Sequence, residues 1–245
     1  MESRPEHFIT LPLISKKEEN PNLPLVINVV AKYWGEDISP PKVDSTGEKG
    51  SAMIHGIQLA ERSGFASYIY KSSIKELKRR IDQGIPPIVI MPGIWGTVQH
   101  ALIMSGYNSD ERRILTYIPE PDTVGAIPES KFEQDWDEDD MTVIIIIPSD
   151  MSDLVRNDSD LKFVKSNRTC FEAEGLREKG RINEAIQKLQ RATEMDSDNA
   201  QVWSLLGGIY NEIDSSQAIR CFERAIELNP RYYLAYRGLG NHYLK

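Results

Sequence analysis

Two stretches of this chain are versions of one another. EAIQKLQRATEMDSDN, residues 184–199, lines up with QAIRCFERAIELNPR, residues 217–231. Ala185, Leu189 and Ala192 return 33 residues later as Ala218, Phe222 and Ala225. WSLLGGIY at 203–210 returns at the same spacing as YRGLGNHY at 236–243. A period of this length is that of stacked helix pairs, because one pair cannot bury its apolar face alone. Small residues recur where helices cross, and large ones fill the gaps between them.

Trp203, Leu206, Gly207, Tyr210, Ala218, Phe222, Ala225 and Pro230 sit at signature places, and this third of the chain strongly resembles the tetratricopeptide (TPR) repeat family. The first repeat is degenerate, with Thr169 and Ala173 where the motif prefers Trp and Gly. The second is one residue short in its inner turn, EIDSSQ. The last residues read as the first helix of a third repeat, either a cap or the start of more. The resemblance implies an all-α superhelix whose concave face binds proteins or peptides. The side chains expected on that face are Glu174, Arg177, Ser204, Gly208, Asn211, Arg237 and Asn241. They do not reproduce the lysine–asparagine clamp that some TPR proteins close on a terminal carboxylate. Arg237 and Asn241, one turn apart, match part of it.

The preceding residues have a different texture. SAMIHGIQLAERSG reads as a helix with Met53, Ile57 and Ala60 on one face. SSIKELKRRIDQG reads as another, with Ser73 and Glu76 as a capping box, Ile74, Leu77 and Ile81 as its stripe and Gly84 as its stop. ASYIY and PPIVIM follow them as strand-like runs. HALIMSGY, RILTYI and MTVIIII then succeed one another with turn signals such as YNSDE and PEPD between them. This order predicts an α+β domain, helices first and an antiparallel sheet after. Residues 150–165 are polar and weakly patterned. The expected organisation is a domain over 1–149, a linker over 150–165 and repeats over 166–245.

NLPLVINVVAKYWG, residues 22–35, is a short helix apolar on nearly every side, and such a helix belongs in a core. GTVQHALIMSGYNSD and LTYIPEPD follow it, and IPESKFEQDWDEDDMTVIIIIP closes the domain. In that order the first 148 residues resemble the peptidase C39-like branch of the papain-like cysteine peptidases. The resemblance implies a papain-like α+β fold. It also implies a thiolate at a helix N-terminus, a histidine that shuttles protons, an Asp or Asn that orients it and a glutamine at the oxyanion. Carried over residue by residue, the cysteine position falls on Asn22 and the glutamine position on Lys16. The histidine position is kept as His100, and the orienting acid falls on Ile118. Three of the four roles are lost, so no catalytic residue is expected. Asn22, with Pro24 just inside, is a competent helix cap and an incompetent nucleophile.

Two readings of His100 stand: a relic that still touches a ligand, or a histidine at a strand edge. Trp95 in GIWGTVQH either anchors a bound peptide or packs over the sheet edge. EQDWDEDD, with six acids in eight residues, is either a cation site or dock for a basic partner, or a solvated helix end. No zinc motif, calcium loop or phosphate-binding glycine loop is present, and neither a metal nor a cofactor is expected.

Charge narrows the partners. The net charge is −8, and residues 1–150 hold all of the excess, with 15 Lys+Arg against 23 Asp+Glu. Nucleic acid and anionic membrane are poor partners for such a surface. No apolar run approaches the length of a membrane span, and MESRPEHF is no secretory signal. Two cysteines, Cys170 and Cys221, make no disulfide framework, which points to a reducing, cytoplasmic location. The expected function is a pseudopeptidase serving as a protein- or peptide-binding adaptor, within reach of a larger complex. The alternative is a hydrolase or transferase with a rearranged site around His100.

Overall fold

The computed structural model describes residues 7–12, 25–38, 52–92, 99–119, 123–156, 158 and 161–245. Lys16, Asn22 and Trp95 lie outside them. The chain divides into two compact units. The first comprises Met1–Tyr68, Ser72–Trp136 and Met141–Asp160. The second comprises Ile69–Lys71, Asp137–Asp140 and Leu161–Lys245.

In chain order the elements before the repeats are β1 (His7–Phe8), α1 (Leu25–Tyr33), α2 (Ala52–Arg62), β2 (Phe65–Lys71), α3 (Ile74–Asp82), β3 (Ile88–Pro92) and β4 (Gln99–Asn108). β5 (Arg113–Ile118), β6 (Thr123–Pro128), α4 (Glu129–Asp137) and β7 (Thr142–Pro148) follow. The strands form one sheet in the order β2-β7-β3-β4-β5-β6, with β1 added beside β4. The pairings of β1 with β4, β3 with β4 and β7, and β5 with β4 and β6 are antiparallel. The α+β architecture expected from alternating helical and strand periods is present.

α1 is apolar on nearly every side, and its Val26, Ile27, Val29, Val30 and Ala31 are all buried. Asn28 is buried with them and its Oδ1 accepts the Ile38 N–H at 3.3 Å, so the polar group is satisfied. The helix closes at Gly35 with φ +92°, a conformation that glycine adopts freely, and the Glu36 N–H returns to the Ala31 carbonyl at 3.0 Å. α3 begins as its sequence predicts: Ser73 Oγ accepts the Glu76 N–H at 3.2 Å. Glu76 turns to Ser72 Oγ, at 2.5 Å, and to Arg80.

Residues 150–165 carry more structure than their polarity implies. α5 (Asp153–Arg156) lies there after a 3-10 turn, Ser149–Met151. Val155 is buried, and Asp158 takes Nη2 of the fully buried Arg80 at 2.9 Å.

The second unit holds α6 (Val164–Glu178), α7 (Ile182–Met195), α8 (Ala200–Glu212), α9 (Gln217–Leu228) and α10 (Tyr233–Tyr243). The recurring stripe is its core: Ala185, Leu189 and Ala192 from α7 meet Leu206 and Tyr210 from α8 and Ala218 and Phe222 from α9. Gly207 and Gly238 let α8 and α10 close on Phe222. A Cβ would stand 2.9 Å from that ring at Gly207 and 2.3 Å at Gly238.

Candidate functional site

Of the four positions that the peptidase-like pattern singles out, His100 and Ile118 lie among the described residues. β4 carries His100 opposite Met91 of β3. The ring is half-buried, and its Nδ1 lies 2.8 Å from the Pro92 carbonyl oxygen. A carbonyl only accepts, so Nδ1 carries the proton and Nε2 the lone pair. Burial lowers the pKa of the ring, and the bond to Pro92 offsets part of that. His100 is therefore a neutral imidazole at ordinary pH, with Nδ1 committed to backbone. β5, whose Tyr117 pairs with Ile103, ends at Ile118, a half-buried aliphatic side chain with no acceptor to orient a ring.

The chain's two thiols are spent elsewhere. Cys170 and Cys221 are free and buried in the core of the repeats. Burial is the largest cause raising both: Cys221 is pushed up to about 11 and Cys170 further still, helped by Glu174. Neither can supply a thiolate at neutral pH.

The groove residues divide. Arg177 Nη1 donates to Glu212 Oε1 at 2.8 Å, joining α6 to α8. Its Nε also forms an ion pair with Glu174 Oε2 at 2.8 Å. Burial, reinforced by Glu178 and Glu212, raises the Glu174 carboxyl against the opposing pull of Arg177. Asn211 Oδ1 meets His242 Nδ1 at 2.8 Å, and the Asn211 carbonyl takes Lys245. Arg237 and Asn241 are exposed on α10 without a side-chain partner among the described residues. Ser204 on α8 is buried, 7% exposed.

The acidic stretch also behaves otherwise than as a solvated end or an open dock. Asp139 and Asp140 are each 2% exposed. Asn229 Nδ2 donates to the Asp137 carbonyl at 2.9 Å and to Asp140 Oδ1 at 3.0 Å. Lys71 Nζ pairs with Asp140, Arg231 Nη2 donates to Glu138 Oε1 at 2.9 Å, and the Tyr233 N–H donates to the Glu138 carbonyl at 2.9 Å. The corner between α9 and α10 thus receives the acidic turn. At the corresponding corner between α7 and α8, Asp196 and Asp198 stand where Asn229 and Arg231 stand here. That exchange of acid for amide and cation was the available sequence signal.

A further polar group escapes the sequence because it joins distant residues. His7 Nδ1 lies 2.6 Å from Asp82 Oδ1 while its ring stacks on Tyr107 at 4.4 Å. Burial first, then Asp82, pushes the Tyr107 hydroxyl up to about 12. Among the described residues no group of three or more metal-ligating side chains is found, and no helix is long and apolar enough to cross a membrane.

Residues 175–213 match the TPR repeat family and residues 214–245 the tetratricopeptide repeat family. No curated protein matches the chain. Among solved structures it is similar to the peptidase domain of Streptococcus ComA, a bi-functional ABC transporter involved in a quorum sensing pathway. The identity is 17%, over 58% of this chain and 99% of that one, with a TM-score of 0.38. At that identity and TM-score the likeness says nothing about chemistry. The chain joins an α+β unit with a helical segment, residues 175–245, that matches tetratricopeptide repeats.

Proposed function

We propose that this chain is a non-catalytic, peptidase-like adaptor that holds protein or peptide partners and does not cut them. The observation that carries the reading is the use of both thiols as core residues of the repeats, with their pKa values raised by burial. Tetratricopeptide repeats generally mediate protein–protein interaction, and a repeat array supports that role with an extended concave surface. Arg237 and Asn241 are the exposed groove residues with which a partner would bond, and Trp95 is proposed as an aromatic anchor in the peptidase-like unit. Asn22 and Lys16 fill the nucleophile and oxyanion places without their chemistry. The partner is a protein or peptide, not nucleic acid or membrane, in keeping with a net charge of −8. A reducing, cytoplasmic setting suits two free, buried cysteines. Membership of a larger complex remains part of the proposal, although not through Asp139 and Asp140, which are engaged internally.

One observation favours a second reading. His100 is neutral, with a lone pair on Nε2, which is the form a general base needs. The test is incubation with a proteome-derived peptide mixture, read by mass spectrometry beside a His100→Ala control. The adaptor reading expects no new termini and a set of peptides retained on the protein. New termini that disappear in the control would make His100 a base in a hydrolase or transferase and sink the adaptor.

A further inference from the structure

The two edges of the sheet are finished differently. β2 closes one edge, and none of its residues is exposed. β6 closes the other, and its Thr123, Val124, Ala126 and Pro128 are exposed, Val124 by 68%. Native sheets blunt a free edge with charge, with an internal proline or with a bulge. β6, TVGAIP, carries no charge, and its proline comes last. Its register with β5 runs unbroken from Ile118↔Thr123 to Arg113↔Pro128.

The backbone groups that β6 turns outward can be assigned. The Glu129 N–H donates to the Arg112 carbonyl at 2.8 Å, which makes Arg113 and Pro128 a pair that exchanges no bonds of its own. Antiparallel pairs alternate. Ile127 with Ile114 and Gly125 with Thr116 therefore exchange bonds, whereas Ala126 with Leu115 and Val124 with Tyr117 do not. The N–H and C=O groups of Val124 and Ala126 accordingly point away from β5. Arg113 Nη1 meets the Ala126 carbonyl at 3.4 Å, a long and exposed contact.

We infer that β6 is the pairing edge of a homodimer, in which the β6 strands of two copies run antiparallel about a two-fold axis at Gly125 and join their sheets. Val124 of each copy then faces Ala126 of the other, and each such pair exchanges both of its N–H···O bonds. On the outer surface a large side chain meets a small one. The two Gly125 residues form the close pair at the axis, with Cα atoms about 4.5 Å apart, where glycine sets no side chain against its own copy. No charge within the strand repels its counterpart, although the chain as a whole carries −8. Charge at the strand ends selects the copy over another extended segment. Antiparallel order brings the entry of one strand to the exit of the other. In sequence the entry is acidic, with Glu120 and Asp122 just before β6. At the exit Arg113 lies opposite Pro128, and Arg112 and Arg113 are both exposed. Arg113 keeps Glu111 at 3.5 Å, and Arg112 has no side-chain partner among the described residues. A two-fold interface makes this match twice. The inference goes beyond the adaptor reading and does not depend on it.

The test is sedimentation velocity of the full chain under reducing conditions, at loading concentrations from about 1 to 100 µM, the range suited to a small interface. A reversible monomer–dimer equilibrium is expected. Ala126→Pro removes an outward N–H that β5 does not use, and the dissociation constant should rise at least about tenfold. Val124→Lys should weaken the dimer too, by placing an ammonium group on the edge. Adding Ala126→Glu to Val124→Lys sets each lysine opposite a glutamate of the other copy, and association should recover above that of Val124→Lys alone. A thermal melt checks that each variant is folded. Val124→Lys changes a side chain already in water, so it decides the matter if the proline variant does not fold. A monomer across the whole range would overturn the inference, even if the edge accepts an unrelated extended peptide. So would a dimer indifferent to Ala126→Pro and Val124→Lys, or one that the added glutamate fails to restore. Cleavage activity found with the peptide mixture would remove the adaptor reading and leave this result standing.

Discussion

Glu174 shows how one residue's surroundings set its chemistry. Its carboxyl titrates above the ordinary value of 4.5, chiefly because it is buried, and Glu178 and Glu212 add to the effect against Arg177. A carboxyl raised in the folded state gives stability that is complete below its unfolded pKa and is lost as pH rises through the folded one. Glu174→Gln is therefore expected to raise the urea midpoint of the protein at pH 7. The gain should close as the pH falls toward 4.5. A gain that persists unchanged at acid pH would mean that packing, not charge, separates the two side chains. His100 lies at the same scale: a single carbonyl, that of Pro92, decides which ring nitrogen carries the proton.

Among the elements, α10 carries two glycines with opposite duties. Gly238 is pressed against Phe222, with a Cβ 2.3 Å from Cε1, while Gly240 faces open space. Alanine at Gly238 forces the ring or the helix to shift, which costs roughly 1–3 kcal/mol. Alanine at Gly240 adds no clash and gains helix propensity, stabilising by up to roughly 1 kcal/mol. Chemical denaturation of the two variants should move the midpoint in opposite directions. Equal shifts would contradict the placement of α10 on α9. Gly106 on β4 makes a similar close approach, 2.5 Å from a would-be Cβ to the His7 carbonyl oxygen, and so admits β1 beside it.

On the scale of the molecule, the acidic turn joins residues far apart in sequence. Asn229 holds Asp137 across 92 residues and Asp140 across 89. Asn229→Asp copies into this corner the acid that the other repeat has at Asp196, and it sets a like charge against buried Asp140. The loss of a buried donor to a charged acceptor is worth roughly 1–3 kcal/mol. The urea midpoint should fall accordingly, and Asn229→Ala should fall by less, having no added charge. A neutral outcome for Asn229→Asp would mean that the turn is held by Lys71 and Arg231 alone.

Local pattern alone was enough for the repeat period, the Ala–Leu/Phe–Ala stripes, the Ser73 cap, the stop at Gly35 and the burial of α1. Each depends on residues within one or two turns of one another, and the physics of periodicity and capping is local. The proposal that His100 is a kept histidine and Ile118 a lost acid also needs only the sequence, because a role and a residue type can be compared one position at a time. What only the tertiary structure decided was the use of each polar group. Ser204 was buried, Arg177 was taken by Glu212, and Asp139 and Asp140 left the solvent, Asp140 for Asn229 at the corner between α9 and α10. A polar side chain's partner, or an apolar face's cover, is set by which distant element packs against it, and no short window of sequence contains that element.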